Sequence, residues 1–234
     1  MADFSQALDL TLGELARRGP PGGAAVLAAM RGLLLAAGPV PRRGPLTHDL
    51  IVPGRSVGAN VFEHGRDLGL RAALLAYAEG MGQLPTVEAL FGREGVEWAG
   101  GLLLGPEGPR MKLYAVSPEP ARGVDVDARG ERRWRSYHAP FPLDWPGVVW
   151  PPTQPGESHR LITVLGEEKR TLNVLFQTSA SLGPLLELGA PGWLGELDGA
   201  LRGLGFALRP VAFELDLYAD GRVERDGLVA VGEL

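Results

Sequence analysis

Apolar residues recur at helical spacing over residues 4–18 and again over 24–37, and the intervening Gly-Pro-Pro-Gly-Gly ends one run and starts the next. The spacing predicts a helix pair. Residues 49–53 and 58–63 are short, β-rich and bent at Pro-Gly-Arg-Ser, which predicts a hairpin. Helical spacing returns over 68–81 and 86–91, and strands are expected over 96–104 and 110–116, split by the turn Gly-Pro-Glu-Gly-Pro. A further hairpin is expected from 124–127 to 131–137. Residues 139–156 hold too many prolines for a helix and predict an irregular crossing. Strands at 159–165 and 170–176, helices at 181–188 and 193–204, and strands at 211–218 and 222–231 complete the chain. The order is ααββ, ααββ, an incomplete unit, ββ, ααββ, and the repeat lies in the elements rather than in the side chains.

Strand side chains alternate, so each strand divides into two faces. Met111, Leu113 and Ala115 oppose Arg110, Lys112 and Tyr114. Leu172, Val174 and Phe176 oppose Lys169, Thr171, Asn173 and Gln177, with Leu175 the apolar exception on the polar side. Val211, Phe213, Leu215 and Leu217 oppose Glu214, Asp216 and Tyr218. The apolar faces belong under the helices, which must bury a stripe of their own. Two architectures satisfy this: an open α+β sheet with its polar face in water, or a closed barrel whose polar faces line an interior.

Composition narrows the chemistry. The chain has 234 residues, 45% of them hydrophobic, enough to bury the core of a single domain spanning 1–234. There are no cysteines, which excludes disulfides and thiolate chemistry. The net charge of −5 offers nucleic acid no general attraction, so an anion has to be met locally. The first residues lack the order of a signal peptide, and the most apolar run is interrupted by Arg31. A cytoplasmic protein without membrane, nucleic-acid or protein partner, and without a cofactor or metal, is expected. Positive charge is otherwise written as arginine: Lys112 and Lys169 are the chain's two lysines.

Both lysines fall in segments that resemble a known family. Lys-Arg-Thr-Leu-Asn-Val-Leu-Phe at 169–176 resembles the Lys-Arg-x-Val-Asn-Leu-Tyr-Phe strand of the bacterial soluble aromatic prenyltransferases, the ABBA or PT-barrel family. Lys-Leu-Tyr at 112–114 is similar to a second strand of that family, and residues 51–65 to its first hairpin. The resemblance implies an antiparallel barrel of about ten strands built from ααββ units, with helices wrapped outside. It also implies transfer of an isoprenoid group from an allylic diphosphate to an aromatic small molecule. On that likeness Lys112, Tyr114, Lys169 and Asn173 would hold the diphosphate, with Arg55 and Arg110 as additional cations, because fixed positive donors stabilise the leaving group. Tyr218 and Trp98, and the set Trp134, Trp145 and Trp150, would offer aromatic faces to the carbocation. Glu214 and Asp216 are the expected catalytic carboxylates, orienting or deprotonating the acceptor.

The chain also departs from the family. Leu175 stands where a tyrosine contacts phosphate, and the first hairpin lacks the aspartate that helps some members hold magnesium, which implies metal-independent chemistry. The chain is shorter than its class, so ten strands require the 124–127 and 131–137 pair. These departures motivate the alternative of a barrel that binds a small molecule without turnover; an open-sheet interaction module is the third reading. No nucleotide-binding or hydrolase motif is present. The four histidines are expected to be surface or capping residues, and the run Arg132-Arg-Trp-Arg135 a solvated segment.

Overall fold

Asp3 caps the first helix, its carboxylate accepting from the Ser5 N–H at 3.2 Å, and the Gly19 N–H closes the helix on the Leu15 carbonyl at 2.9 Å. This helix, α1 (Phe4–Arg18), turns Leu8, Leu12 and Leu15 into the core, where α2 (Gly23–Ala37) brings Leu27, Met30 and Leu34. The pair feeds β1 (His48–Val52) and β2 (Val57–Phe62). The pattern repeats with α3 (Leu70–Gly80), α4 (Leu84–Phe91), β3 (Trp98–Gly105) and β4 (Gly108–Ala115). Then come β5 (Arg122–Asp127), β6 (Arg132–His138), β7 (His159–Gly166) and β8 (Lys169–Phe176). The last unit is α5 (Gly183–Glu187), α6 (Trp193–Gly203), β9 (Phe206–Tyr218) and β10 (Val223–Glu233). The structure is a computed structural model describing residues 3–52, 54–91, 98–115, 122–138, 159–166, 169–176 and 181–234.

Every strand is antiparallel to its neighbours in sequence order, and β1 pairs with β10 through Leu50↔Val229, so the ten strands close into a barrel. The open sheet is thereby excluded. Six residues join β4 to β5, fewer than a helix pair needs, and this is how a short chain reaches ten strands. Outward residues such as Leu50, Met111, Leu113, Leu172, Val174, Phe213 and Leu215 join the helix stripes in one continuous core. Among the described residues no helix is long and apolar enough to cross a membrane.

Simple alternation fails at one place. The strand expected from residue 211 begins at Phe206 and runs through Pro210. Opposite it, the register moves from Val229↔Pro210 to Leu228↔Ala212, leaving Val211 as the extra residue of a bulge. Phe206 and Leu208 therefore face the helices before the bulge, as Phe213 and Leu215 do after it, while Val211 packs inward with Ile51, Leu103, Ala212, Leu228 and Leu175. Pro210 sits at the bulge, opposite Val229 of β10 and beyond the last described β8–β9 pair, Leu175↔Ala212.

His48 also departs from expectation, being fully buried on the outer face of β1 beneath Phe4 of α1. Its Nε2 accepts from the Val231 N–H at 3.2 Å, which fixes a neutral ring, and burial holds its pKa down at about 4. Close strand approach accounts for Gly101: a Cβ there would lie 2.2 Å from the Ala59 carbonyl oxygen and from Asn60 Oδ1. Gly101→Ala is expected to destabilise the protein by about 2–3 kcal/mol in urea unfolding, since backbone must move to admit the methyl.

Candidate functional site

The inner face collects the polar halves of the strands. β4 contributes Arg110, Lys112 and Tyr114, β8 contributes Lys169, Thr171 and Asn173, and β9 contributes Glu214, Asp216 and Tyr218. Lys112, Thr171, Asn173 and Asp216 are all buried although polar. The five hairpin turns gather at one end of the barrel. There a cavity of about 110 Å³ reaches between Ser56, Glu107, Gly166 and Arg222 down to Lys112, Thr171 and Glu214. Six cationic and six carboxylate side chains line it among the described residues. It has room for several water molecules.

Most of these charges are already matched. Lys169 pairs with Asp216, whose other oxygen accepts from the Thr171 hydroxyl. Arg135 pairs with Asp125, and Glu107 receives Arg110 and, at 2.9 Å, Arg133. At the rim Glu224 accepts from Arg55 at 2.6 Å, Arg222 at 2.8 Å and the Tyr218 hydroxyl at 3.0 Å. The Arg222 guanidinium lies 3.8 Å over the Tyr218 ring, so that ring already carries a cation. Two donors differ. Lys112, only 5% exposed, makes no hydrogen bond or close ion pair among the described residues, and the buried Nε of Arg110 on the same strand face has no acceptor. Buried donors without acceptors are costly, and both line the cavity.

The carboxyl groups around Lys112 are unusual too. Burial pushes Asp49 up to about 7, against the hydrogen bond it accepts from Asn60 at 2.7 Å and the nearby Lys112 charge. Burial, then the charges of Glu214 and Asp216, push Asp226 up to about 7, opposed by Lys169 and Lys112. Burial likewise raises the Tyr114 and Tyr218 phenols, which stay protonated at neutral pH. A carboxyl whose folded pKa is raised contributes stability below its unfolded value near 4 and loses it as pH rises through about 7. Asp226→Asn is therefore expected to be more stable than wild type by ~1–2 kcal/mol at pH ~8, and indistinguishable at pH ~4, in urea unfolding at the two pH values.

The structure brings together Lys112, Tyr114, Lys169, Asn173, Glu214, Asp216 and Arg110 on the inner face. Arg55 and Tyr218 stand at its rim. Trp98 opens β3 opposite Ala115, and its side chain lies outside the described residues, as do Trp145, Trp150 and Gln177. Trp134 lies opposite Val124 in the β5–β6 register and is 47% exposed, and it stands among the residues that line the cavity. Leu175 is explained by the apolar cluster on which the inner face ends. Sequence reasoning missed Asp49, Asn60, Asp125, Arg135 and Asp226. The signal was present in Val-Asp-Val-Asp at 124–127, where buried Val124 and Val126 point out and Asp125 points in.

Among the described residues no group of three or more acidic or histidine side chains is arranged to hold a metal ion. In comparisons with known proteins, no family model matches the chain and no curated protein matches it.

Proposed function

We propose that the barrel interior binds an allylic diphosphate and transfers its isoprenoid group to an aromatic small molecule. The observation that carries this reading is buried Lys112, without a hydrogen-bond acceptor among the described residues, beside the unpartnered Nε of Arg110, both lining the cavity of a closed ten-strand barrel. In this reading Lys112, Arg110, Tyr114 and Asn173 grip the diphosphate. Lys169 exchanges Asp216 for a phosphate oxygen as the ligand enters, leaving Asp216 with the Thr171 hydroxyl. Cleavage of the allylic C–O bond leaves its electron pair on the diphosphate, where fixed cations stabilise it. The acceptor's ring carbon then attacks the cation, and the ring proton passes to a carboxylate. Glu214, opposite Asn173 and outside the Lys169–Asp216 pair, suits that role better than Asp216.

The cavity favours a second reading. About 110 Å³ accommodates a phosphate end but is below the ~300 Å³ at which ligand pockets usually begin, so the hydrocarbon and the acceptor need space that parting of the Lys169–Asp216 pair would open. If that pair stays closed, the barrel binds a small anion without turnover. Incubation with dimethylallyl or geranyl diphosphate and a panel of phenols and indoles, with and without magnesium, separates the readings by mass spectrometry. A prenylated product supports the transferase. Saturable binding of inorganic pyrophosphate without product from any pair leaves the binding barrel, and absence of both removes the two readings together.

A further inference from the structure

A second concavity lies at the other end of the barrel, beyond the apolar cluster of Ile51, Leu103, Ala212 and Leu228. Its volume is about 930 Å³, within the range of sites that bury an extended small molecule. Leu175, Phe176 and Val211 give it an apolar floor, and Arg42, Arg43, Arg202 and Arg209 stand around it. Arg202 is paired with Asp198 at 2.7 Å, but among the described residues the other three make no salt bridge. Arg209 is held by two carbonyl oxygens, of Pro41 at 3.0 Å and Glu233 at 2.6 Å, which position its guanidinium without cancelling its charge. Burial and the neighbouring charge of Arg42 both lower its pKa, partly offset by Glu233, the one carboxylate side chain lining the groove among the described residues. Arg42 and Arg43 are exposed and make no salt bridge among the described residues.

We infer that this groove is a binding site for an amphiphilic anion, an alkyl chain bearing a carboxylate or a phosphate. Arg209, held by the Pro41 and Glu233 carbonyls, and the exposed Arg42 and Arg43 supply bidentate donors for the head group, and Leu175, Phe176 and Val211 cover the chain. The apolar cluster separates the groove from the charged cavity at the hairpin end, so this site stands or falls independently of prenyl transfer.

Fluorescence titration with dansyl-undecanoic acid tests it, with oleate, dodecyl phosphate, dodecyltrimethylammonium and inorganic phosphate as competitors. Saturable binding is expected, displaced by oleate or dodecyl phosphate, and the stronger of the two identifies the head group. The double variant Arg42→Glu, Arg43→Glu changes exposed side chains without salt-bridge partners and is expected to weaken binding at least ~10-fold. Lys112→Met is expected to leave it unchanged. The inference is overturned by absence of saturable binding, by equal displacement with the alkylammonium, by displacement with inorganic phosphate alone, by undiminished affinity of the charge-reversed variant, or by loss of binding in Lys112→Met.

Discussion

Lys112→Met is expected to weaken binding of inorganic pyrophosphate by about 10- to 100-fold while changing unfolding free energy by no more than ~1 kcal/mol. The two effects separate because Lys112 is buried and, among the described residues, has no hydrogen-bonding acceptor. A charge-assisted bond to a phosphate oxygen would supply what the folded chain withholds. Methionine keeps the length of the stem and removes the ammonium. Without that charge Asp49 and Asp226, whose pKa values Lys112 now lowers, retain their protons to higher pH, and this limits the cost in stability. Calorimetric titration with urea unfolding measures both quantities. An unchanged affinity would remove Lys112 as the anchor.

Lys169→Met is expected to act the other way, destabilising the fold by about 2–4 kcal/mol, because it strands Asp216, a carboxylate 3% exposed, with the Thr171 hydroxyl as its remaining hydrogen-bond partner among the described residues. The double variant Lys169→Met, Asp216→Asn is expected to be more stable than Lys169→Met alone, with a coupling of ~1–3 kcal/mol in a double-mutant cycle. Additive effects would show that the pair contributes nothing. The sequence alone predicts a different ranking, with Lys169 affecting binding far more than stability. The carboxylate facing it, 47 residues away in sequence, is the reason.

The barrel was legible because period-2 alternation in β4, β8 and β9 separates Met111, Leu172 and Phe213 from Lys112, Thr171 and Glu214, and helix pairs demand an apolar surface to cover. Closure itself was not legible, since alternation is the same in an open sheet; it rests on the pairing of β1 with β10. The bulge at Val211 was hidden for a related reason, because a one-residue insertion leaves each half of β9 a normal strand. Within the site, alternation placed Lys112, Asn173 and Asp216 inward. It could not show which cations meet which carboxylates, since register across strands decides that Asp216 lies opposite Thr171 and within reach of Lys169. His48 was misread because burial beneath α1 is tertiary, and a lone histidine carries no mark of it.

Lysine-selective 15N labelling offers the most direct test, because the protein has two lysines, one on each side of the question. On titration with inorganic pyrophosphate, the Lys112 side-chain resonance, assigned by its loss in Lys112→Met, is expected to shift saturably and to slow its exchange with water. A resonance of Lys112 that stays in place throughout, or that drifts only as it does with added sodium chloride, would contradict an anion site inside the barrel.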